Sequence, residues 1–306
     1  MSAEQVVGRF APSPTGPLHF GSLVAAVGSY CLARREAGLW LLRMEDLDPP
    51  RVVPGAADEI LSALEKLGLY WDGEVIWQSQ RNEAYLAAVE SLRAKGLVFD
   101  CACTRKEIIL SAPHPGEEGP IYPGTCRAGL PVGRKPRALR IAVPQEQVSF
   151  TDAVFGQVQQ VLAAAVGDFV LRRADGLFAY QLAVVVDDAA AGINQVVRGA
   201  DLLSSTPRQI FLHACLGSPV PKYVHLPMVM GRNGKKISKR HGSAALDYES
   251  RASELIIRSL SLLGQTVPRE LHGAPPAELL PWAVENFEPR NIPAFSEGVG
   301  GDEKIL

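Results

Sequence analysis

The sequence predicts an α/β fold: a parallel sheet interrupted by a strand-rich insert and followed by a short helical C-terminal part. Three observations predict it. A strand, a tight loop and a helix occupy the stretch from Val6 to about Gly38 and lead straight into a second buried strand at Leu39–Met44, which together make a βαβ unit. Residues Ala138 to Val143, Gln147 to Val161 and Phe169 to Arg172 alternate or run apolar between Gly and Asp turns, as strands do. Buried patterns then return at Gln181 to Asp188 and Gly192 to Leu203, which read as the second half of the sheet.

Composition narrows the class. With 306 residues, 47% hydrophobic and 21% charged, the chain can form one large or two ordinary globular domains. No apolar run reaches the ~18 residues of a membrane span, and the start Met1-Ser2-Ala3-Glu4 lacks the basic residues of a signal peptide, so a cytoplasmic protein with no membrane partner is expected. A formal net charge of -2 argues against a surface that is basic throughout. The local basic stretches 127–140 and 232–240 read, taken alone, as solvated faces. Five cysteines without an export signal argue against a disulfide framework.

Along the chain, Val6 and Val7 open an apolar run that ends at Phe10. Pro12, Pro14, Pro17 and Gly16 then keep residues 11–17 out of helix. From about Leu18 apolar residues fall at helical spacing, at Leu23, Ala26, Val27 and Tyr30. The first turn of a helix leaves backbone N–H groups unpaired and carries partial positive charge, so an anion is favoured there. His19, Gly21 and Ser22 sit at that turn; Gly21 lets a nucleotide approach the backbone, and His19 can donate to a phosphate. A lone His-x-Gly more often marks an ordinary helix start, so a second signal is needed. The strand at Leu39–Met44 runs into Glu45 and Asp46, and ligands of parallel sheets gather at strand carboxyl ends, so Arg9 and Glu45 are expected at one crevice.

Residues 54–68 and 82–96 read as amphipathic helices closed by Gly, with Tyr70, Trp71 and Trp77 between them expected in the core. Cys101, Cys103 and Cys126 flank a Pro, Gly and Glu loop and form a plausible zinc set that lacks one ligand, for which His114, Glu117 and Glu118 are available. Thr206-Pro207 reads as the capped start of a helix ending near Gly217. Farther on, Gly231 to Gly234 forms a turn, and Lys235, Lys236 and Lys239 crowd one loop. Such a loop can follow charge developing on a triphosphate. Two more helices are expected, at about 251–263 and 276–286.

His19-Phe20-Gly21-Ser22 resembles the HIGH signature of class I aminoacyl-tRNA synthetases, and RFAPSPTGPLHFG as a whole is similar to the form used by their glutamyl and glutaminyl branch. Lys236-Ile237-Ser238-Lys239-Arg240 resembles the KMSKS loop, with Ile for Met and Arg for the last Ser. LRMEDLDPPR, YQLAVVVDD and VVRGADLLSST look like the same branch. The resemblance implies a Rossmann-type catalytic domain in two halves, residues 1–98 and 177–245. Between them would lie an acceptor-binding, zinc-bearing subdomain at 99–176, with a helical region at 246–306. It implies that His19 and Lys239 serve catalysis and that ATP is held by His19, Gly21, Ser22, Lys236, Ser238 and Lys239. Glutamate would be held by Arg9, Phe10, Ala11, Pro12, Ser13, Glu45, Tyr180 and Arg198. Two arginines and one carboxylate suit a substrate with two carboxylates and an ammonium. It further implies a structural zinc on Cys101, Cys103, Tyr122 and Cys126. One departure is Val184, where glutamyl-tRNA synthetases commonly have Asn.

The stretch after Arg240 is too short for the helical domains with which a glutamyl-tRNA synthetase reads the anticodon. The wording PLHFGSL, LRMEDLDPPR and RGADLLSSTPRQ is close to a truncated paralogue within the branch, which implies activation of L-glutamate with ATP and Mg²⁺ and transfer to queuosine in the anticodon of tRNA(Asp). A monomer is expected. The alternatives are charging of the 3′ end of tRNA(Glu) or tRNA(Gln), glutamate transfer to a non-tRNA acceptor, and a binding module without catalysis.

Overall fold

The structure, a computed structural model, describes residues 5–111, 115–116, 119–228 and 246–295. Its centre is a five-stranded parallel sheet of β1 (Val7–Phe10), β2 (Leu39–Met44), β3 (Ile76–Trp77), β11 (Gln195–Gly199) and β12 (Lys222–Leu226), in the order β12-β11-β1-β2-β3. Strands covered on both faces need nearly continuous apolar runs, which VGRF and LWLLRM supply except at Arg9 and Arg43. The order reverses between β1 and β11, and a crevice opens outside their carboxyl ends at such a switch point.

Helix α1 (Phe20–Arg34) covers one face together with α2 (Ala56–Lys66), α8 (Ala252–Leu262) and α9 (Pro276–Asn286). Leu23, Val27, Trp40, Leu42, Leu260 and Leu279 are fully buried in that layer. Gly38 lets the chain turn tightly from α1 into β2, because a Cβ there would lie 2.4 Å from the Val6 carbonyl oxygen. The other face carries α3 (Asn82–Ala94), α6 (Tyr180–Ala190) and α7 (Thr206–Leu216), packed through Tyr85, Leu92, Leu182 and Leu212.

Between α3 and α6 the chain forms β4 (Val98–Cys101), α4 (Arg105–Ser111), the short pair β5 (Pro115–Gly116) and β6 (Gly119–Pro120), and β7 (Ala138–Ile141). The hairpin β8 (Gln147–Asp152) and β9 (Gly156–Val161), the turn α5 (Leu162–Ala165) and β10 (Phe169–Arg172) complete it. Strands β10, β7 and β4 pair antiparallel. Among the described residues no helix is long and apolar enough to cross a membrane.

Several expectations change. Gln181 to Asp188 is not a strand but the body of α6, and of residues 192–203 only Gln195–Gly199 is strand, followed by a 3-10 turn at Ala200–Ser205. A short apolar run rich in Val cannot be told from a buried helix by periodicity, and here packing on both sides decided for helix. Thr206 is the first residue of α7 and makes no capping bond; its hydroxyl faces inward to Arg198 instead. Tyr70 is 62% exposed, while Trp71 and Trp77 are half-buried against the core. Helix α4 occupies residues that the sequence suggested were loop.

Candidate active site

A cavity of about 570 Å³ lies at the switch point. From the end of β1 come Arg9 and Phe10, and from the following loop Ala11, Pro12 and Ser13. The start of α1 contributes His19, Gly21 and Ser22. Glu45 enters just beyond β2, Tyr180 opens α6, and Arg198 comes from β11. Every described residue expected in the glutamate and ATP sites therefore lines one cavity. An adjoining chamber of about 230 Å³ shares Ser13, Glu45 and Tyr180 and adds Asp48, Gln78 and Arg173. Lys236, Ser238 and Lys239 lie outside the described residues.

The proline-rich loop is tied to the segment after β2: Glu45 N donates to Pro12 O at 2.9 Å, and Val53 N donates to Pro14 O at 2.9 Å. This places Glu45 beside the end of β1. His19 is the N-cap of α1, its Nδ1 accepting from Ser22 N at 3.1 Å. A neutral His19 ring then carries its proton on Nε2, 3.1 Å from the Ser22 hydroxyl. The first turn of α1 contains no acidic residue, so the positive end of the helix faces the cavity without a carboxylate of its own to neutralise it.

Deeper in, charges are arranged in a ladder. Asp188 Oδ1 accepts from Arg43 Nη1 at 2.6 Å and from Arg9 Nε at 3.4 Å, and Arg43 Nη2 reaches Glu45 Oε1 at 3.4 Å. Arg9 Nη1 also donates to Val197 O at 3.2 Å. Burial would raise the Asp188 carboxyl, but Arg43 and Arg9 hold it below the usual carboxylate range. Glu45 goes the other way: burial outweighs Arg43 and Arg9 and pushes its carboxyl up. Arg198 donates from Nε to His225 Nε2 at 3.1 Å and from Nη2 to Thr206 Oγ1 at 2.7 Å. In this inner set three guanidiniums face two carboxylates, which leaves one net positive charge, the complement of an amino acid with an acidic side chain.

A second constellation lies in the insert. The Sγ atoms of Cys101, Cys103 and Cys126 are all within 4.8 Å of one another, with Cys103 and Cys126 3.7 Å apart. The Tyr122 hydroxyl lies 3.5 Å from Cys101 Sγ and 3.8 Å from Cys103 Sγ, and accepts from Cys126 N at 2.8 Å. Tetrahedral zinc with Zn–S near 2.3 Å separates two sulfurs by about 3.8 Å, so three thiols and a phenol at these spacings fit a four-coordinate ion. Burial pushes the Cys103 thiol up to about 11, so a divalent cation would be what ionises it. His114, Glu117 and Glu118 lie outside the described residues.

The model of the family "tRNA synthetases class I (E and Q), catalytic domain" matches residues 5–273. The chain belongs to the class I tRNA synthetases of the E and Q type. A curated relative from Geobacter sulfurreducens, a glutamyl-Q tRNA(Asp) synthetase, is 57% identical over 294 residues, 94% of each chain. Another of that name, from Dechloromonas aromatica, is 56% identical over 290 residues, 94% of this chain and 96% of the relative. Among solved structures, a glutamate tRNA ligase from Elizabethkingia meningosepticum in complex with its amino acid shares the fold with a TM-score of 0.80 at 24% identity, covering 96% of this chain and 67% of that one.

In this synthetase chain, the residues that hold the cavity-lining arginines and Glu45 were not read from the sequence. Arg43 carried a signal, since an arginine inside an otherwise apolar strand must find a buried partner. Asp188 was hidden in the run misread as strand. His225 and Asp152 had no local signal, because their partners come from other elements.

Proposed function

We propose that this chain activates L-glutamate with ATP and transfers it to the queuosine base in the anticodon of tRNA(Asp), working as a cytoplasmic monomer. The single observation that carries the reading is the meeting of Arg9, Arg198 and Glu45 with the open N-terminus of α1 in one cavity, in a chain more than half identical to glutamyl-Q tRNA(Asp) synthetases. Arg9 and Arg198 supply cations for the two carboxylates and Glu45 an anion for the ammonium. The substrate α-carboxylate oxygen bonds to the α-phosphorus of ATP as pyrophosphate leaves. Mg²⁺ and Lys239 offset the charge on the phosphates, and His19 Nε2–H and the first-turn amides of α1 face them. A hydroxyl of the queuosine cyclopentene-diol then attacks the glutamyl carbonyl, losing its proton as AMP leaves with the bonding pair. The chemistry is positioning and charge stabilisation without a protein nucleophile. The chamber beside Glu45 supplies room for the acceptor diol.

A structural zinc on Cys101, Cys103, Tyr122 and Cys126 would pin the insert, residues 99–176, that meets the tRNA. The deciding experiment is labelled-glutamate transfer to tRNA(Asp) carrying queuosine, tRNA(Asp) carrying guanosine at that position, and tRNA(Glu). Label on the queuosine tRNA alone is expected; equal label on the guanosine form, or label on tRNA(Glu), would return the reading to 3′-end charging.

A further inference from the structure

Asp152 closes β8 in the insert, yet its side chain is buried against the catalytic sheet, with 1% of the residue exposed. Its Oδ1 accepts from Val154 N and Phe155 N, both at 2.9 Å, which shapes the β8–β9 turn. Its Oδ2 accepts from His225 N at 3.1 Å and lies 2.7 Å from His225 Nδ1. The same turn is seated on β12 by Ala153 N donating to Tyr223 O at 3.1 Å. An ionised carboxylate only accepts, so His225 Nδ1 carries the ring proton and Nε2 presents its lone pair.

That lone pair is used. Arg198 Nε donates to His225 Nε2 at 3.1 Å, and the Thr206 hydroxyl lies 3.1 Å from the same nitrogen while accepting from Arg198 Nη2 at 2.7 Å. Two of the three guanidinium nitrogens are thus spent inside the protein. The third, Nη1, is buried with no hydrogen-bond partner among the described residues, on a side chain that lines the cavity. A buried donor left unpaired is costly unless a ligand meets it.

We propose that Asp152 and His225 are positioning residues for the amino-acid substrate: Asp152 holds His225 in the Nδ1–H tautomer, and His225 Nε2 locks Arg198 so that Nη1 is left for a substrate carboxylate. The role rests on reading the cavity as the glutamate site. Every group facing the imidazole is compatible with a neutral ring. Asp152 approaches from β8, Arg198 from β11 and Thr206 from α7, Arg9 adds positive charge from β1, and Tyr223 stacks beside it on β12 with ring centroids 6.0 Å apart. Burial holds His225 below the ordinary histidine range. Protonating Nε2, or moving the proton there, would set it against Arg198 Nε–H, donor to donor. The insert would thereby help shape the amino-acid pocket through a turn that never touches the substrate.

Glutamate-dependent ATP–pyrophosphate exchange on the full chain tests this. In Asp152→Asn the amide can donate to Nδ1 and drive the ring proton to Nε2, and His225→Leu removes the acceptor. Both should raise KM for glutamate about tenfold, the equivalent of one misplaced charged hydrogen bond, with KM for ATP and kcat nearly unchanged. His225→Gln, which can offer Arg198 an amide oxygen, should recover most of the loss. Nitrogen-15 spectra of histidine-labelled protein, with the His225 signals assigned by their absence in His225→Gln, should show Nδ1–H. An Nε2-protonated His225, or KM values for ATP and glutamate that rise together, would overturn the proposal. Wild-type exchange with an unmoved glutamate KM in Asp152→Asn would overturn this role alone, whereas no glutamate-dependent exchange in the unsubstituted protein would overturn the glutamate reading itself and the role with it.

Discussion

Arg43 Nη1 lies 2.6 Å from Asp188 Oδ1, with the two side chains 1% and 5% exposed. The pair joins β2 to α6, and the same carboxylate reaches Arg9 while the other end of Arg43 reaches Glu45. The cavity-lining Arg9 is therefore held by Asp188 directly, and the cavity-lining Glu45 through Arg43.

Removing that carboxylate should be expensive. Asp188→Asn leaves buried guanidiniums without their counter-charge, a change expected to cost roughly 3–5 kcal/mol. Urea unfolding with an unchanged slope would measure it. The pH dependence follows from the lowered carboxyl: the stabilisation is fully present above the unfolded-state value of about 3.9 and is lost as pH falls through the lower folded value. A loss under about 1 kcal/mol would show that the ladder is not a structural support.

Glu45 should govern an acid limb in glutamate use. Its carboxyl is raised by burial, so it takes up a proton at a pH where an exposed glutamate is still ionised. In its proposed role only the ionised form attracts the substrate ammonium, so kcat/KM for glutamate should fall as pH drops through that raised value. Glu45→Gln should raise KM at neutral pH and flatten the limb. A limb that persists unchanged in Glu45→Gln would assign it to another group.

Arg9 and Lys239 should separate binding from chemistry. Arg9→Ala is expected to raise KM for glutamate in pyrophosphate exchange far more than KM for ATP. Lys239→Ala should cut kcat by about a hundredfold to a thousandfold, the scale of losing one transition-state charge contact. Near wild-type exchange in either variant would remove that residue from its role.

The cysteine cluster should hold close to one zinc per chain in protein never exposed to added metal, read by atomic emission, and Cys126→Ser should lower it well below one. Because the cluster sits in the insert, pyrophosphate exchange should survive the substitution while transfer to tRNA falls. A zinc content far below one in the unsubstituted protein would leave three thiols, two of them buried, beside a tyrosine.

Much of the core architecture was legible from local residues. Prolines 12, 14 and 17 and Gly16 mark the loop, and the apolar runs around it emerge as β1 and β2, the latter with the bounds Leu39–Met44 read from sequence. Pro276–Asn286 likewise appears as read. These signals are carried within a few residues by backbone sterics and periodicity. Arg9, His19, Glu45, Tyr180 and Arg198 were legible too, because the signature stretches carry them, whereas Ile60 and Pro227 on the cavity wall were not.

What the sequence by itself determined, then, is the βαβ start, the family and the charged groups that meet in the cavity. Only the tertiary structure decided that Gln181 to Asp188 is helix, that Thr206 turns inward to Arg198, and which partners hold the buried charges. Arg43 and Asp188 are 145 residues apart, and Asp152 and His225 are 73 apart. A buried charge is tolerable only when its counter-group arrives with it, and no local pattern records a partner that packing supplies from a distant part of the chain.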